Sequence, residues 1–298
     1  MQMTTVKKSK KQVFAERLFS TVLLWAAVTA TFMGGSPWAF VGLITVLGIA
    51  ASREFFSMTR KADFSCQHCW GLFLSVVYLL GVGYLLAKDG KAALPELGAI
   101  DGAAIAFTAL SAFILQLRHP IDGEKALVSV ASTVLGFLYI AFLFSFMSRL
   151  LFVPDGDGVT GAWLIIWCVA VTKFTDMGAY ITGSLIGKNK MIPHISPGKT
   201  WEGFVGALFW AQLAGCGLYA LLPEALSVLG GWHHVIILGV LLSLLAVVGD
   251  LAESIVKRCL NAKDSGQTLP GIGGALDLID SLCFTAPVLY FYILWVIN

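Results

Sequence analysis

"LLSLLAVVGDLAESIVKR", residues 241–258, starts as a lipid-soluble run and ends as a row of charges. Asp250, Glu253, Ser254 and Lys257 fall at i, i+3, i+4 and i+7, which lines them up in one stripe on a helix. A solvated helix end accounts for Lys257 and Arg258. It does not account for Asp250, which follows "LLSLLAVVG" directly. An ionisable group at the centre of a membrane helix costs about 2.5–3.5 kcal/mol on insertion scales, so one that persists in such a segment points to function.

The chain around this stretch has the same character. Of its 298 residues 57% are hydrophobic and 13% charged, about half of the roughly 25% usual in soluble domains, and the mean hydropathy is +0.82. A bilayer crossing needs about 17–25 apolar residues. Nine apolar segments satisfy or approach this, at 18–33, 38–51, 70–87, 99–117, 126–153, 160–186, 201–222, 233–256 and 279–297. They predict an all-α, polytopic transmembrane protein of about nine spans. The whole of 1–298 reads as one membrane domain, with an N-terminal hairpin at 18–56 and a catalytic region at 173–281. No separate soluble domain fits.

A net charge of +2 is too mild to predict a nucleic-acid partner. The charges report orientation instead. With a cytoplasmic N-terminus, 16 lysines and arginines fall on the inner side, against Lys88, Lys91 and Arg149 outside, with Lys173 within a span. Residues 187–200 and 257–278 then share the cytoplasmic face. A basic N-terminus before an apolar run also fits a secretory signal, but "GGSP" at 34–37 leads straight into a second apolar segment and predicts a tight hairpin. The six cysteines show no disulfide framework, since Cys168, Cys216 and Cys283 lie in spans and Cys259 beside a basic cluster. "CQHC", 66–69, has the spacing of half a zinc site without a second pair and reads as a loop.

Ionisable residues in spans are sparse before residue 172, where Asp101 and Arg149 are the plainest. Beyond it they form three clusters. In "TKFTDMGAYITGSLIGKNK", 172–190, Lys173 and Asp176 share a helix face. They read either as a neutralising pair or as the lining of a polar cavity with Tyr180. In "ISPGKTWEG", 195–203, a P-loop fails because Pro193 stands where its first glycine belongs. A Ser-Pro-Gly turn opening a helix still points amides and Lys199 at an anion. The third cluster joins 249–258 to "KDSGQTLPGIGGALDLIDS", 263–281, where Pro270, Gly271, Gly273 and Gly274 break the helix before Asp277 and Asp280. Acidic residues in a first turn can simply complement the helix dipole. Carboxylates from two helices, Asp250 and Asp277, beside Lys257, Arg258, Lys263 and a glycine-rich turn make a different pattern. It suits magnesium, which takes one or two carboxylates, waters and phosphate oxygens, next to a polyphosphate held by cations and backbone amides.

Three stretches in order, "TDMGAYITGSLIGKNKMIPHISPGKTWEG", "GDLAESIVKR" and "KDSGQTLPGIGGALDLIDS", resemble the phosphatidate cytidylyltransferases, or CDP-diacylglycerol synthases. They cover most of 175–281, and the S-x-x-K-R-x4-K-D-S-G run from Ser254 to Gly266 is the most specific part. "REFF", 53–56, is similar more loosely. The resemblance implies that the phosphate of phosphatidate attacks the α-phosphorus of CTP, giving CDP-diacylglycerol and pyrophosphate. It implies Mg2+, with Mn2+ as a substitute and a second metal or a monovalent cation left open. Asp250 and Asp277 are then the metal ligands, and Lys257, Arg258, Lys263 and Asp264 surround the phosphates. Ser196, Lys199, Thr200 and Glu202 match the other motif and are expected at the substrate, together with Asp176, Tyr180, Ser254, Gly273, Gly274 and Asp280. A homodimer and a cytoplasmic-membrane location with the site facing the cytoplasm follow by the same analogy.

Ile272 and Leu278 depart from the family, which often has histidine and arginine there. Lys173 is a cation placed to supply some of the missing charge. Two other readings stay open: a CTP-dependent lipid kinase of the dolichol-kinase type, and a transporter whose broken helix near 264–275 binds an ion.

Overall fold

The computed structural model describes residues 29–31, 34–154, 159–266, 268 and 273–297. The first predicted span, 18–33, lies almost entirely outside them. The other eight predicted segments coincide with helices. These are α1 (Pro37–Lys61), α2 (His68–Asp89), α3 (Leu94–Gln116), α4 (Lys125–Gly136), α5 (Leu143–Leu150), α6 (Val159–Ile186), α7 (Trp201–Leu221), α8 (Trp232–Cys259) and α9 (Ala275–Tyr292).

Seven stretches among the described residues are helical, long and apolar enough to cross a membrane. One of them, the 49 residues His68–Gln116, is divided by a 3-10 turn at Gly90–Ala93 into α2 and α3. In contrast, α4 and α5 form one continuous span through a π-helical turn at Phe137–Phe142. The helix ends carry local stop signals. Arg60 and Lys61 lie in the last turn of α1, and Lys257 and Arg258 in that of α8, where positive charge opposes the helix dipole. Each helix then turns off through a left-handed residue, Asp63 and Asn261, both with φ 51°. These two residue types tolerate that region because their short polar side chains bond locally.

Helix α9 is the central element, with 61% of its span window buried, whereas α7 lies at the periphery with 22%. Lipid tails are as apolar as leucine, so helices hold together in a membrane through close packing and interhelical hydrogen bonds. The contact between α6 and α7 shows how. A Cβ on Gly178 would lie 2.5 Å from the Cβ of Trp210, and one on Gly206 would collide with Thr182. Small residues on both helices are therefore required for their approach.

Arg149 of α5 grips Asp101 of α3 with both terminal nitrogens, at 2.7 Å each. The Tyr78 hydroxyl of α2 donates to the same carboxylate at 2.7 Å, and the guanidinium carbon lies 4.4 Å from the centre of the Phe146 ring. The two ionisable residues singled out in the first half of the sequence are thus partners. The CQHC segment packs on α4: the Gln67 amide donates to Thr133 Oγ1 at 2.9 Å, and Ser132 Oγ donates to the Ser65 carbonyl at 2.6 Å. All six cysteines are free thiols.

One element departs from the all-helical expectation. Lys190–Ile192 (β1) and Ser196–Thr200 (β2) form an antiparallel hairpin, with Lys190 opposite Thr200 and Ile192 opposite Ser196. The Ser-Pro-Gly turn expected to open a helix is a strand instead. Pro197 fixes its own φ and drives Ser196 toward extended backbone. The helix starts three residues later, where extended Thr200 (φ −128°, ψ 155°) accepts a 3.1 Å bond from the Gly203 amide as N-cap.

Candidate active site

The link 187–200, between α6 and α7, packs against the C-terminal half of α8. Lys199 of β2 reaches α8, where its ammonium lies 2.6 Å from Asp250 Oδ2 and 3.4 Å from the Val247 carbonyl. Arg258 Nε donates to the Ile195 carbonyl at 3.5 Å.

A cavity of about 510 Å³ opens beside the Lys199–Asp250 pair. Asp176, Tyr180 and Gly183 line it from α6, Lys190, Ser196 and Lys199 from the hairpin, Phe204 from α7, and Asp250 from α8. Tyr180 is 75% exposed at its mouth. Lys173 and Asp176 pair at 3.7 Å, and of the two Asp176 lines the cavity while Lys173 does not. Thr200 is buried and works as the N-cap of α7. Glu202, in the first turn of α7, accepts the amides of Lys188 and Asn189 at 3.2 Å and the Asn189 side-chain amide at 2.7 Å. Its carboxylate closes the hairpin onto the helix.

A second set of charges lies between α8 and α9. The polar stripe on α8 forms as its spacing predicts, with Lys257 2.6 Å from Glu253 Oε2. Lys257 also reaches across to Asp277 Oδ1 at 2.9 Å. Asp250, one turn earlier in the stripe, turns to Lys199 instead. The Gly274 amide donates to Asp277 Oδ2 at 2.9 Å, so both oxygens of Asp277 have partners. Asp280 is buried, accepts the Ser281 amide at 2.6 Å, and lies within electrostatic reach of Lys173, Asp250 and Lys257. Ser254 is half-buried, and Lys263 and Asp264 are exposed in the link after α8. Gly273 has φ 130°, a conformation open to glycine and rare for other residues. Pro270, Gly271 and Ile272 fall outside the described residues, while Leu278 packs against the apolar core.

The sequence reading assigns the amides of the glycine-rich link to phosphate. Three of these amides, those of Thr268, Gly274 and Leu276, have other partners. Glu54, a buried residue of α1, accepts the Leu276 amide at 2.9 Å, the Thr268 amide at 3.3 Å and the Ser265 hydroxyl at 3.4 Å. It also accepts the Thr268 hydroxyl. With Gly274 bonded to Asp277, these amides face protein carboxylates. The one sequence signal for Glu54 is a carboxylate next to an apolar run in "REFF".

Asp250 and Asp277, the carboxylates expected to hold a divalent ion, have side chains 36% and 28% exposed, and each is paired with one lysine ammonium. Among the described residues no group of three or more histidine, cysteine or acidic side chains forms a closed cage, and a cation completed by water and phosphate needs none.

The fold and site thus define a polytopic helical membrane protein with a pocket lined by charges of both signs, Asp176 and Asp250 with Lys190 and Lys199. A profile of the cytidylyltransferase family matches residues 15–296, and the chain belongs to that family. It is 32% identical over 277 residues to the phosphatidate cytidylyltransferase of Brucella suis biovar 1 (strain 1330), covering 92% of this chain and 89% of that one. The uncharacterized protein YnbB of Escherichia coli (strain K12) is 33% identical over 274 residues, covering 90% and 85%. The phosphatidate cytidylyltransferase of Mycobacterium tuberculosis (strain ATCC 25618 / H37Rv) is 38% identical over 157 residues, covering 52% and 44%.

Proposed function

We propose that this protein is a phosphatidate cytidylyltransferase: it joins phosphatidate to the CMP unit of CTP, yielding CDP-diacylglycerol and pyrophosphate. The observation that carries this reading is the meeting of the hairpin and α8 at the Lys199–Asp250 pair beside an accessible cavity, with the Lys257–Asp277 pair joining α8 to α9. A family match over nearly the whole chain supports it.

The chemistry follows from charge. A phosphate oxygen of phosphatidate bonds to the α-phosphorus of CTP, and the bond from that phosphorus to the β-phosphate bridging oxygen breaks. The nucleophile is anionic at neutral pH, so the protein's task is to align two anions and neutralise the charge that develops on the leaving group. Asp250 and Asp277 would hold the magnesium ion, which supplies charge neutralisation at the phosphates. Lys199 and Lys257, the ammonium partners of these carboxylates, would supply positive charge to phosphate oxygens, Lys257 while also paired with Glu253. Arg258 and Lys263 add positive charge on the water side, where the nucleotide arrives. Tyr180, Ser196 and Asp176 line the cavity for the headgroup end of the lipid or the nucleotide.

The distribution of lysine and arginine supports a cytoplasmic orientation for this end of the bundle, and the family resemblance supports the cytoplasmic membrane as its bilayer. The test is product analysis with detergent-solubilised protein, CTP and phosphatidate. CDP-diacylglycerol and pyrophosphate, formed only with Mg2+ or Mn2+, are expected. CDP and a phosphorylated lipid would make it a kinase, and transport without nucleotide turnover would make it a carrier.

A further inference from the structure

Glu54 is remote in sequence from every motif of the reaction, yet its carboxylate is 5% exposed and lies against the glycine-rich link. Its hydrogen-bond donors are Ser265, Thr268 and Leu276, 211 to 222 residues away. Two glycines make room for it. A Cβ on Gly266 would collide with the carboxyl group, and one on Gly274 would come within 2.6 Å of Oε2.

The geometry assigns Glu54 as a positioning residue for the transfer: its carboxylate gathers the link and sets the first turn of α9, from which Asp277 projects. This rests on the cytidylyltransferase reading above. The coupling is short. The Leu276 amide is held by Glu54 and the Gly274 amide by Asp277, both at 2.9 Å, so two carboxylates grip amides two residues apart on the same start of a helix. Asp277 Oδ1 is left facing Lys257. A buried acceptor collecting four donors ties Ser265 and Thr268 to the start of α9. The Thr268, Gly274 and Leu276 amides thereby become scaffold.

Glu54→Gln tests this with a nearly unchanged shape, because the new amide NH2 confronts donors where an acceptor is required. Two quantities are read. The first is kcat, expected to fall about 10–100-fold, as for misplacement of a reacting group by a fraction of an ångström to an ångström. KM for both substrates should stay within about threefold, because the loss is confined to the transition state. The second is hydrogen exchange of the peptide covering 264–277, which should accelerate while that covering 117–124 does not. Thr268→Val, which removes one exposed donor and leaves the carboxylate in place, should give a smaller change of both quantities in the same direction, and serves if Glu54→Gln does not fold. Wild-type kcat in the variants, or a loss of kcat with unaltered exchange at 264–277, overturns the assignment. A wild-type protein that does not turn over CTP and phosphatidate sinks the cytidylyltransferase reading instead, and the exchange result still reports whether Glu54 holds the link.

Discussion

Two groups of charges sit among apolar helices here, and they are built differently. Arg149 and Asp101 are sealed, with side chains 4% and 12% exposed, joined by two parallel bonds and closed by Tyr78 and the Phe146 ring. The pairs Lys199–Asp250 and Lys257–Asp277 are open, with side chains 16–36% exposed and one bond between each pair of charges. A bidentate pair in low dielectric is hard to exchange for anything else. A single contact beside a cavity can be traded for a ligand. The contrast separates charge used to hold helices together from charge kept ready for substrates.

Neutralising the open carboxylates should have the largest effect on turnover. Asp250→Asn and Asp277→Asn are each expected to lower kcat by about 10²–10³-fold, the scale of losing a key electrostatic contact to the transition state, with normal thermal unfolding in detergent. Chelation of divalent ions should abolish turnover reversibly. Full activity in either variant would remove the distinction at its base. The sealed pair should fail the other way. Arg149→Met leaves the buried Asp101 carboxylate without its counter-charge and with the Tyr78 hydroxyl as donor, and such breaks cost about 3–5 kcal/mol of stability. Unfolding should therefore shift strongly, while the folded fraction keeps its KM and kcat. A selective loss of kcat would show that Arg149 belongs to the site.

Smaller effects grade the open cluster. Lys199→Met should raise KM or lower kcat by about 10–100-fold, consistent with roughly 1.5–3 kcal/mol for a hydrogen bond to a charged group. The smallest change is expected from Lys173→Met. Lys173 pairs with Asp176 at 3.7 Å and a third of its side chain is exposed, so about 1 kcal/mol, under tenfold in rate, is the scale. Undiminished activity would end the idea that Lys173 stands in for the charge absent at Leu278.

The same contrast explains what could be read from the chain alone. Membrane helices were legible because hydrophobicity is a local property, and eight predicted segments coincide with α1–α9. The stripe on α8 was legible too, since Glu253 and Lys257 meet through helical spacing. The hairpin was hidden behind a Ser-Pro-Gly signal that also suits a helix start. Pairings across the fold were out of reach. Nothing local joins Arg149 to Asp101, or Lys199 to Asp250, 51 residues away. Glu54 was hidden for the same reason: its partners lie at the other end of the chain, and its effect is on backbone amides, which carry no letter in a sequence.

The hairpin Lys190–Thr200 has a consequence for water. Two strands leave their outer edges with unpaired amides and carbonyls, and such groups are not tolerated in hydrocarbon, where nothing can hydrogen-bond them. The hydrated headgroup layer or a water-filled cavity satisfies them, and Lys190, Ser196 and Lys199 of the hairpin line a cavity. The open strand edges thus demand water beside Lys199 and Asp250, in a chain whose helices otherwise exclude it.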